Sequence, residues 1–204
     1  MINTEKYKAF IFDLDNTLYS EEHYLFQAYN EISIQLSKNH FQLNYIDIKN
    51  YLIETFKREE RANLFDKMIR HFDLSQKDKL HAIEILRNVK LNQKLKLFPE
   101  IQRLLNFLLN KNIEIFIATN GNKIQQQNKI SQIDWANVNF SVLKFYFAVD
   151  YEPKPSPKVV YFILKDNSLK NYETLFVGDS SSDEECAKKA KIDFISVNTI
   201  LCKK

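Results

Sequence analysis

Residues 9–19 read Ala9-Phe10-Ile11-Phe12-Asp13-Leu14-Asp15-Asn16-Thr17-Leu18-Tyr19. Four apolar residues lead directly into two aspartates. The apolar run predicts a short buried strand. Carboxylates at the end of such a strand are costly unless they are paired or bound to metal. Alternation along an extended chain puts Asp13 and Asp15 on the same side. Two oxygen donors, with the Thr17 hydroxyl nearby, suit a hard cation such as Mg2+. The same residues also make an ordinary turn, with Asp13 as a cap. The stretch alone leaves both readings open.

Beyond Tyr19 the pattern changes to helical spacing. From about Ser20 to Leu97 there is neither Pro nor Gly. Leu25, Tyr29, Ile32 and Leu36 predict one apolar face; Ile46, Leu52 and Phe56 a second; Leu64, Met68 and Phe72 a third; Leu80, Ile83, Leu86 and Val89 a fourth. Breaks are expected near Lys38-Asn39-His40, near Arg58-Glu59-Glu60 and at Asp73-Leu74-Ser75. Ser75 followed by Asp78 has the form of a helix N-terminus. The spacing thus predicts about four helices, and it makes Tyr24, Phe26, Tyr29, Phe41, Phe56, Phe65 and Phe72 mostly core.

Helices and strands then alternate. Pro99 opens a helix whose apolar stripe is Ile101, Leu104, Leu105, Leu108 and Leu109. Strands are expected at 113–118, 145–149, 175–177 and 194–197. Helices are expected at 123–130, 158–165 and 182–191, and 131–144 reads as loop or short helix. This alternation predicts a three-layer α/β fold on a parallel, Rossmann-like sheet. Residues 1–18 and 98–204 would form the core, and 19–97 an inserted helical cap.

Composition narrows the function classes. The chain has 204 residues, 45% of them hydrophobic, with 16 Phe and 10 Tyr, enough for a substantial core. Its net charge of +3 comes from 29 basic and 26 acidic residues scattered along the chain, which argues against a nucleic-acid partner. No apolar run approaches the length of a membrane span. The polar start, Met1 to Lys8, lacks a signal-peptide core. Cys186 and Cys202 fit neither a disulfide framework nor a zinc pattern. A cytoplasmic protein, monomer or homodimer, is expected. With only 2 Gly, its turns must come from Asn, Asp, Ser and Lys.

Polar residues collect where four predicted segments end, and an open parallel sheet binds ligands at the carboxyl ends of its strands. These are Asp13 and Asp15; Thr119 and Asn120; Lys154 in the loop Pro153 to Pro157; and Asp179, with Ser180, Ser182 and Asp183 beyond. Each has an ordinary explanation. Thr119-Asn120-Gly121 is an acceptable turn, Lys154 an acceptable surface lysine, and Asp179 and Asp183 acceptable helix caps. Their joint placement on one edge is harder to explain that way. Together they suit phosphoryl transfer. An Asp carboxylate can attack phosphorus. Mg2+ offsets the repulsion between two anions. The Thr119 hydroxyl, the Asn120 amide and Lys154 can hold phosphate oxygens. Asp15 can protonate the leaving alcohol and then activate water.

From about Ala9 to Val197 the arrangement resembles the haloacid dehalogenase-like superfamily, in its phosphatase branch. Asp13-Leu-Asp15-Asn-Thr17 looks like the family's first motif, Ile117-Ala118-Thr119-Asn120-Gly121 the second, Lys154-Pro-Ser-Pro157 the third, and Val177-Gly178-Asp179-Ser-Ser-Ser-Asp183 the fourth. The resemblance implies Asp13 as nucleophile and Asp15 as general acid/base. It implies Mg2+ on Asp13, the Asp15 carbonyl and Asp179, with Asp183 holding the metal's water shell or Lys154. It also implies that the helical insert is a cap that sets substrate choice. Two departures stand out. Lys191 occupies the place where the family often has Gly, so that turn must be made otherwise. Lys158 is a second lysine near the third motif.

The expected activity is therefore Mg2+-dependent hydrolysis of a small phosphomonoester, a nucleotide or sugar phosphate. Asp15 argues against 2-haloacid dehalogenation, which needs no second acid. Phosphomutases keep both aspartates and remain an alternative, as does a catalytically inactive binding protein. Gln125-Gln126 after the second motif resembles nucleotidase-like and sugar-phosphate phosphatase members.

Overall fold

A computed structural model describes residues 4–59 and 63–202. Glu60, at the expected break, and Met1 to Asn3 of the polar start lie outside the described residues. In chain order the elements are β1 (Ala9–Phe12), α1 (Glu21–Asn39), α2 (Tyr45–Glu59), α3 (Leu64–His71), α4 (Gln76–Asn88), β2 (Leu95–Lys96), α5 (Pro99–Asn110), β3 (Glu114–Thr119), α6 (Lys123–Ser131), β4 (Ile133–Asp134), β5 (Lys144–Phe147), α7 (Lys158–Asp166), β6 (Thr174–Gly178), α8 (Ser181–Ala190), β7 (Asp193–Ser196) and α9 (Val197–Ile200). They fall into two compact units, one of residues 1–21, 95–126 and 133–204, the other of 22–94 and 127–132.

The first unit is built on a five-stranded sheet in the order β5-β3-β1-β6-β7. Every pairing in it is parallel. β1 is central and fully buried, which explains why it reads as an unbroken apolar run rather than an alternation. Ala9, Ile11, Phe116, Ala118 and Phe176 point to one face, where Val159, Val160 and Ile163 of α7 and Cys186, Ala187 and Ala190 of α8 cover them. The intervening residues, Phe10, Phe12, Ile115 and Ile117, are also buried, and strand alternation turns them to the opposite face. There α5 packs against β3 with Ile101, Leu105 and Leu108 buried. The three-layer parallel core is as expected.

The second unit contains the four expected helices. Leu25, Tyr29, Ile32 and Leu36 are buried, as their spacing requires. On α2, Ile46 is exposed, and Ile48, Leu52 and Thr55 form the buried face. Ile46 is two positions from Ile48, which places it on the far side of the helix. On α4, Leu80 is exposed and Ala82 buried, so that face is rotated from the expected one. Phe41 is also exposed: it lies in the turn after α1, where helical spacing has no meaning. Ser75 and Asp78 form a full capping box, and Asp78 is 2.9 Å from the His40 ring.

The segment 131–144 holds more order than expected. Ile133 pairs with Leu95 in a two-stranded parallel ladder. Trp135 then packs against Phe140 and Phe145, with ring centroids 5.1 and 6.0 Å away. Turns are indeed made largely without glycine: Asn16, Asn63, Asp73, Asn112, Ser168 and Lys191 take positive φ, as do Ala136 and Cys202. Lys191 needs no substitute for the absent glycine, because it adopts the left-handed conformation itself at φ 58°.

Candidate active site

The first motif leaves β1 through a tight turn. The Asp13 amide donates to Val177 O at 2.9 Å, which continues the sheet by one residue. Asn16 then takes φ 56°, and its side chain accepts from the Glu21 amide at 3.0 Å at the start of α1. This turn sends Asp13 and Asp15 into different surroundings.

Asp13 is buried beside Lys154. The Lys154 ammonium donates to Asp13 Oδ1 at 2.6 Å, to Asp183 Oδ1 at 2.6 Å and to Ala118 O at 2.9 Å. Three donors meet three acceptors, so the buried cation is fully satisfied. Burial opposes its charge, yet the two carboxylates hold its pKa above the ordinary lysine value. Burial pushes Asp13 in the uncharged direction, to about 7, against the pull of Lys154 and with the help of Asp183. Burial is the largest cause, and the second carboxylate sharing the one ammonium adds to it.

Asp183 has two functions. As the third residue of α8 it completes a capping box with Ser180, accepting from the Ser180 hydroxyl at 2.7 Å. Its other oxygen takes Lys154. The cap and the contact with Lys154 thus coexist in one side chain. Gly178 makes room for it: a Cβ there would lie 2.6 Å from Asp183 Cβ. Asp179 is exposed, and Thr17 Oγ1 lies 3.4 Å from its Oδ1. Partial desolvation and the neighbouring Asp183 push its carboxyl above the usual range.

Carboxylate oxygens of Asp13, Asp179 and Asp183 lie within 4.8 Å of one another. Three carboxylates against one ammonium leave the cluster short of positive charge, and all the donors are oxygen. That donor set fits a hard divalent ion. Side chains alone bring Asp183 into this cluster rather than Asp15, whose expected contribution is its backbone carbonyl.

Asp15 is held apart from Lys154. The Tyr19 hydroxyl donates to its Oδ1 at 2.6 Å, and Gln126 Nε2 donates to its Oδ2 at 3.0 Å. Thr119, at the end of β3, is buried and 2.6 Å from the same Gln126 nitrogen. Asn120 has a structural task. Its Nδ2 donates to Lys154 O at 2.9 Å, and its Oδ1 accepts from the Lys154 amide at 2.8 Å. This pair of bonds locks the Lys154 loop onto the end of β3. The Lys154–Pro155 peptide is cis.

All seven expected residues thus lie at one edge of the sheet: Asp13, Asp183 and Asn120 are bonded to Lys154, Asp15 and Thr119 to Gln126, which also meets Asn120 O, and Asp179 lies against Thr17. Sequence reasoning missed the pairing of Tyr19 and Gln126 with Asp15. Its only trace was the position of both residues next to a motif. Lys158 is not part of the site: it pairs with Glu152 on the surface.

A family model described as haloacid dehalogenase-like hydrolase matches residues 10–197. A Thermotoga maritima protein described as a phosphorylated carbohydrates phosphatase is 25% identical over 189 residues, covering 92% of this chain and 83% of its own. Among solved structures, a Thermotoga maritima chain provisionally assigned as a β-phosphoglucomutase superposes with a TM-score of 0.63 at 18% identity, over 95% of this chain and 96% of that one. A Deinococcus radiodurans family hydrolase with bound phosphate and sodium superposes with a TM-score of 0.61 at 16% identity, over 94% and 80%.

Proposed function

The chain belongs to the haloacid dehalogenase-like hydrolases, and we propose that within them it is a Mg2+-dependent phosphomonoester hydrolase acting on a small sugar or nucleotide phosphate. The observation that carries the proposal is the second carboxyl, Asp15, held by two hydrogen bonds beside Asp13. Displacing halide needs no proton donor, whereas expelling an alkoxide from phosphorus does.

In this reading Asp13 attacks phosphorus and carries the phosphoryl group as an acyl phosphate. Asp15 gives its proton to the departing alcohol. It then takes one from the water that cleaves the acyl phosphate. Lys154 holds Asp13 in place, its charge attracts the phosphoryl oxygens, and to meet one directly it would give up one of its bonds to Asp13, Asp183 or Ala118. The Thr119 hydroxyl supplies another contact. Because the Asn120 amide grips Lys154, its contribution would be to fix that lysine as well as to meet phosphate. Asp13, the Asp15 carbonyl and Asp179 would hold Mg2+, with Asp183 behind, and the ion would supply charge to offset the incoming phosphate. The insert over 19–97 would serve as the cap that selects substrate, on a core of 1–18 and 98–204.

The Thermotoga maritima relative named for phosphorylated carbohydrates favours sugar phosphates over nucleotides in this proposal. The test is phosphate release from a panel of phosphomonoesters, with Mg2+ and with EDTA. Release that depends on Mg2+ is expected for at least one member. No release from any, with chloride release from a 2-haloacid, would replace this reading by dehalogenation. Isomerised sugar phosphate without free phosphate would replace it by a mutase.

A further inference from the structure

Gln126 is a buried polar residue in the first turns of α6 that the mechanism above does not use. Its amide nitrogen lies 3.0 Å from Asp15 Oδ2, 2.6 Å from Thr119 Oγ1 and 2.9 Å from Asn120 O. Chemistry settles which end of the amide faces them. Turning the group over would set its oxygen against a carboxylate and a carbonyl, with only the hydroxyl able to donate. Its placement is built in. Asn122 caps α6, its side chain accepting from the Gln125 amide at 3.2 Å. Gly121, at φ 108°, lies against the Gln126 side chain, where a Cβ would be 3.6 Å from Cδ. On the other oxygen of Asp15, the Tyr19 hydroxyl is 2.6 Å away, and Tyr19 itself is fully buried.

We infer that Gln126 and Tyr19 are positioning residues that hold one oxygen each of Asp15 and so fix the carboxyl in the orientation from which it serves the leaving group. A carboxyl gripped at one oxygen can turn about its Cβ–Cγ bond, whereas one gripped at both cannot. Both partners reach Asp15 from buried, packed positions, so their own rotamers are restrained. Gln126 also ties that carboxyl to Thr119, which places the proton-carrying group and the phosphate-contacting hydroxyl on one rigid unit. This rests on the reading of Asp15 as the proton donor.

The test uses two substrates of similar size, benzyl phosphate and p-nitrophenyl phosphate. Benzyl alkoxide needs a proton to leave, and p-nitrophenolate does not. Gln126→Met removes the donor at nearly constant volume. A misaligned acid should lower kcat on benzyl phosphate roughly 10- to 100-fold, and on p-nitrophenyl phosphate by less than about threefold. Tyr19→Phe should give the same split, and it carries the test if Gln126→Met does not fold. A merely structural role would lower both substrates alike. Equal losses on the two phosphates, or no loss on either, would overturn the inference. If the unaltered protein releases phosphate from neither of these nor from any member of the phosphomonoester panel, the hydrolase reading fails first, and the inference falls with it.

Discussion

The Lys154 Nζ lies 2.6 Å from Asp13 Oδ1, although 141 positions separate the two residues. Asp183 and Ala118 hold the same nitrogen from other directions. Removing one partner therefore leaves the others in place. Asp13→Asn should fold, because the amide oxygen still accepts from Lys154 and Asp183 still neutralises it. It should lose turnover, because an amide does not form an acyl phosphate. Phosphate release is expected to fall below about a hundredth, a barrier increase of at least ~2.7 kcal/mol. Higher residual activity would remove Asp13 as nucleophile.

Asp179 should behave differently. It is exposed and only loosely approached by Thr17, so Asp179→Ala should leave thermal stability within about 0.5 kcal/mol. Activity should fall while the Mg2+ concentration for half-maximal rate rises. A titration with an unchanged midpoint would exclude Asp179 from the ligand set.

Gly178→Ala tests the packing under Asp183. The new methyl would sit 2.6 Å from Asp183 Cβ and Oδ2. Overpacking of this kind costs roughly 1–3 kcal/mol. Here it must also move the carboxylate off Lys154. Urea unfolding should show the loss of stability, and phosphate release should fall with it. Full activity in this variant would mean that the Asp183–Lys154 contact is dispensable.

Lys191→Gly should stabilise. A non-glycine residue in the left-handed region carries about 1–2 kcal/mol of strain, and glycine's greater loss of freedom on folding takes back part of that gain. A net increase of about 0.5–1 kcal/mol in urea unfolding is expected. Its side chain is not part of the site, so kcat should be unchanged. A lower unfolding midpoint would contradict this.

The acid limb of stability should depend on Asp78. Burial works to raise its pKa, but the His40 ring and the Ser75 cap outweigh it and lower the group to about 2. A carboxyl with a depressed folded-state pKa stabilises the fold above its unfolded value, near 4. That contribution is lost as pH falls from there through about 2. Asp78→Asn should therefore cost about 1 kcal/mol at pH 6, as lost caps do, and progressively less below about pH 4. Urea midpoints of the two proteins at several pH values check this. A constant difference would show that ionisation of Asp78 is not involved.

Much of the fold was legible in local pattern. The run Ala9 to Phe12 marks β1 because a central parallel strand is buried on both faces. Pro99 and Ser75 with Asp78 mark helix starts because capping is a matter of adjacent residues. The errors were of phase and of length. Ile46, Leu80 and Phe41 are apolar residues whose exposure depends on which side of a helix meets a neighbour, or on lying past its end. The strand Ile133–Asp134 is two residues long and carries no periodicity at all.

Sequence alone determined which polar residues are candidates and that most of them gather on one edge of the sheet, because Asp13, Asp15, Thr119, Asn120 and Asp179 lie at or just past the ends of strands. It could not determine their partners. That Lys154 joins Asp13 to Asp183, that Asn120 clamps Lys154, and that Gln126 reaches Asp15 across 111 positions depend on strand order and register. Only the packed sheet brings those ends together. A hydrogen bond forms or fails within a few tenths of an ångström, and that distance is set by tertiary packing.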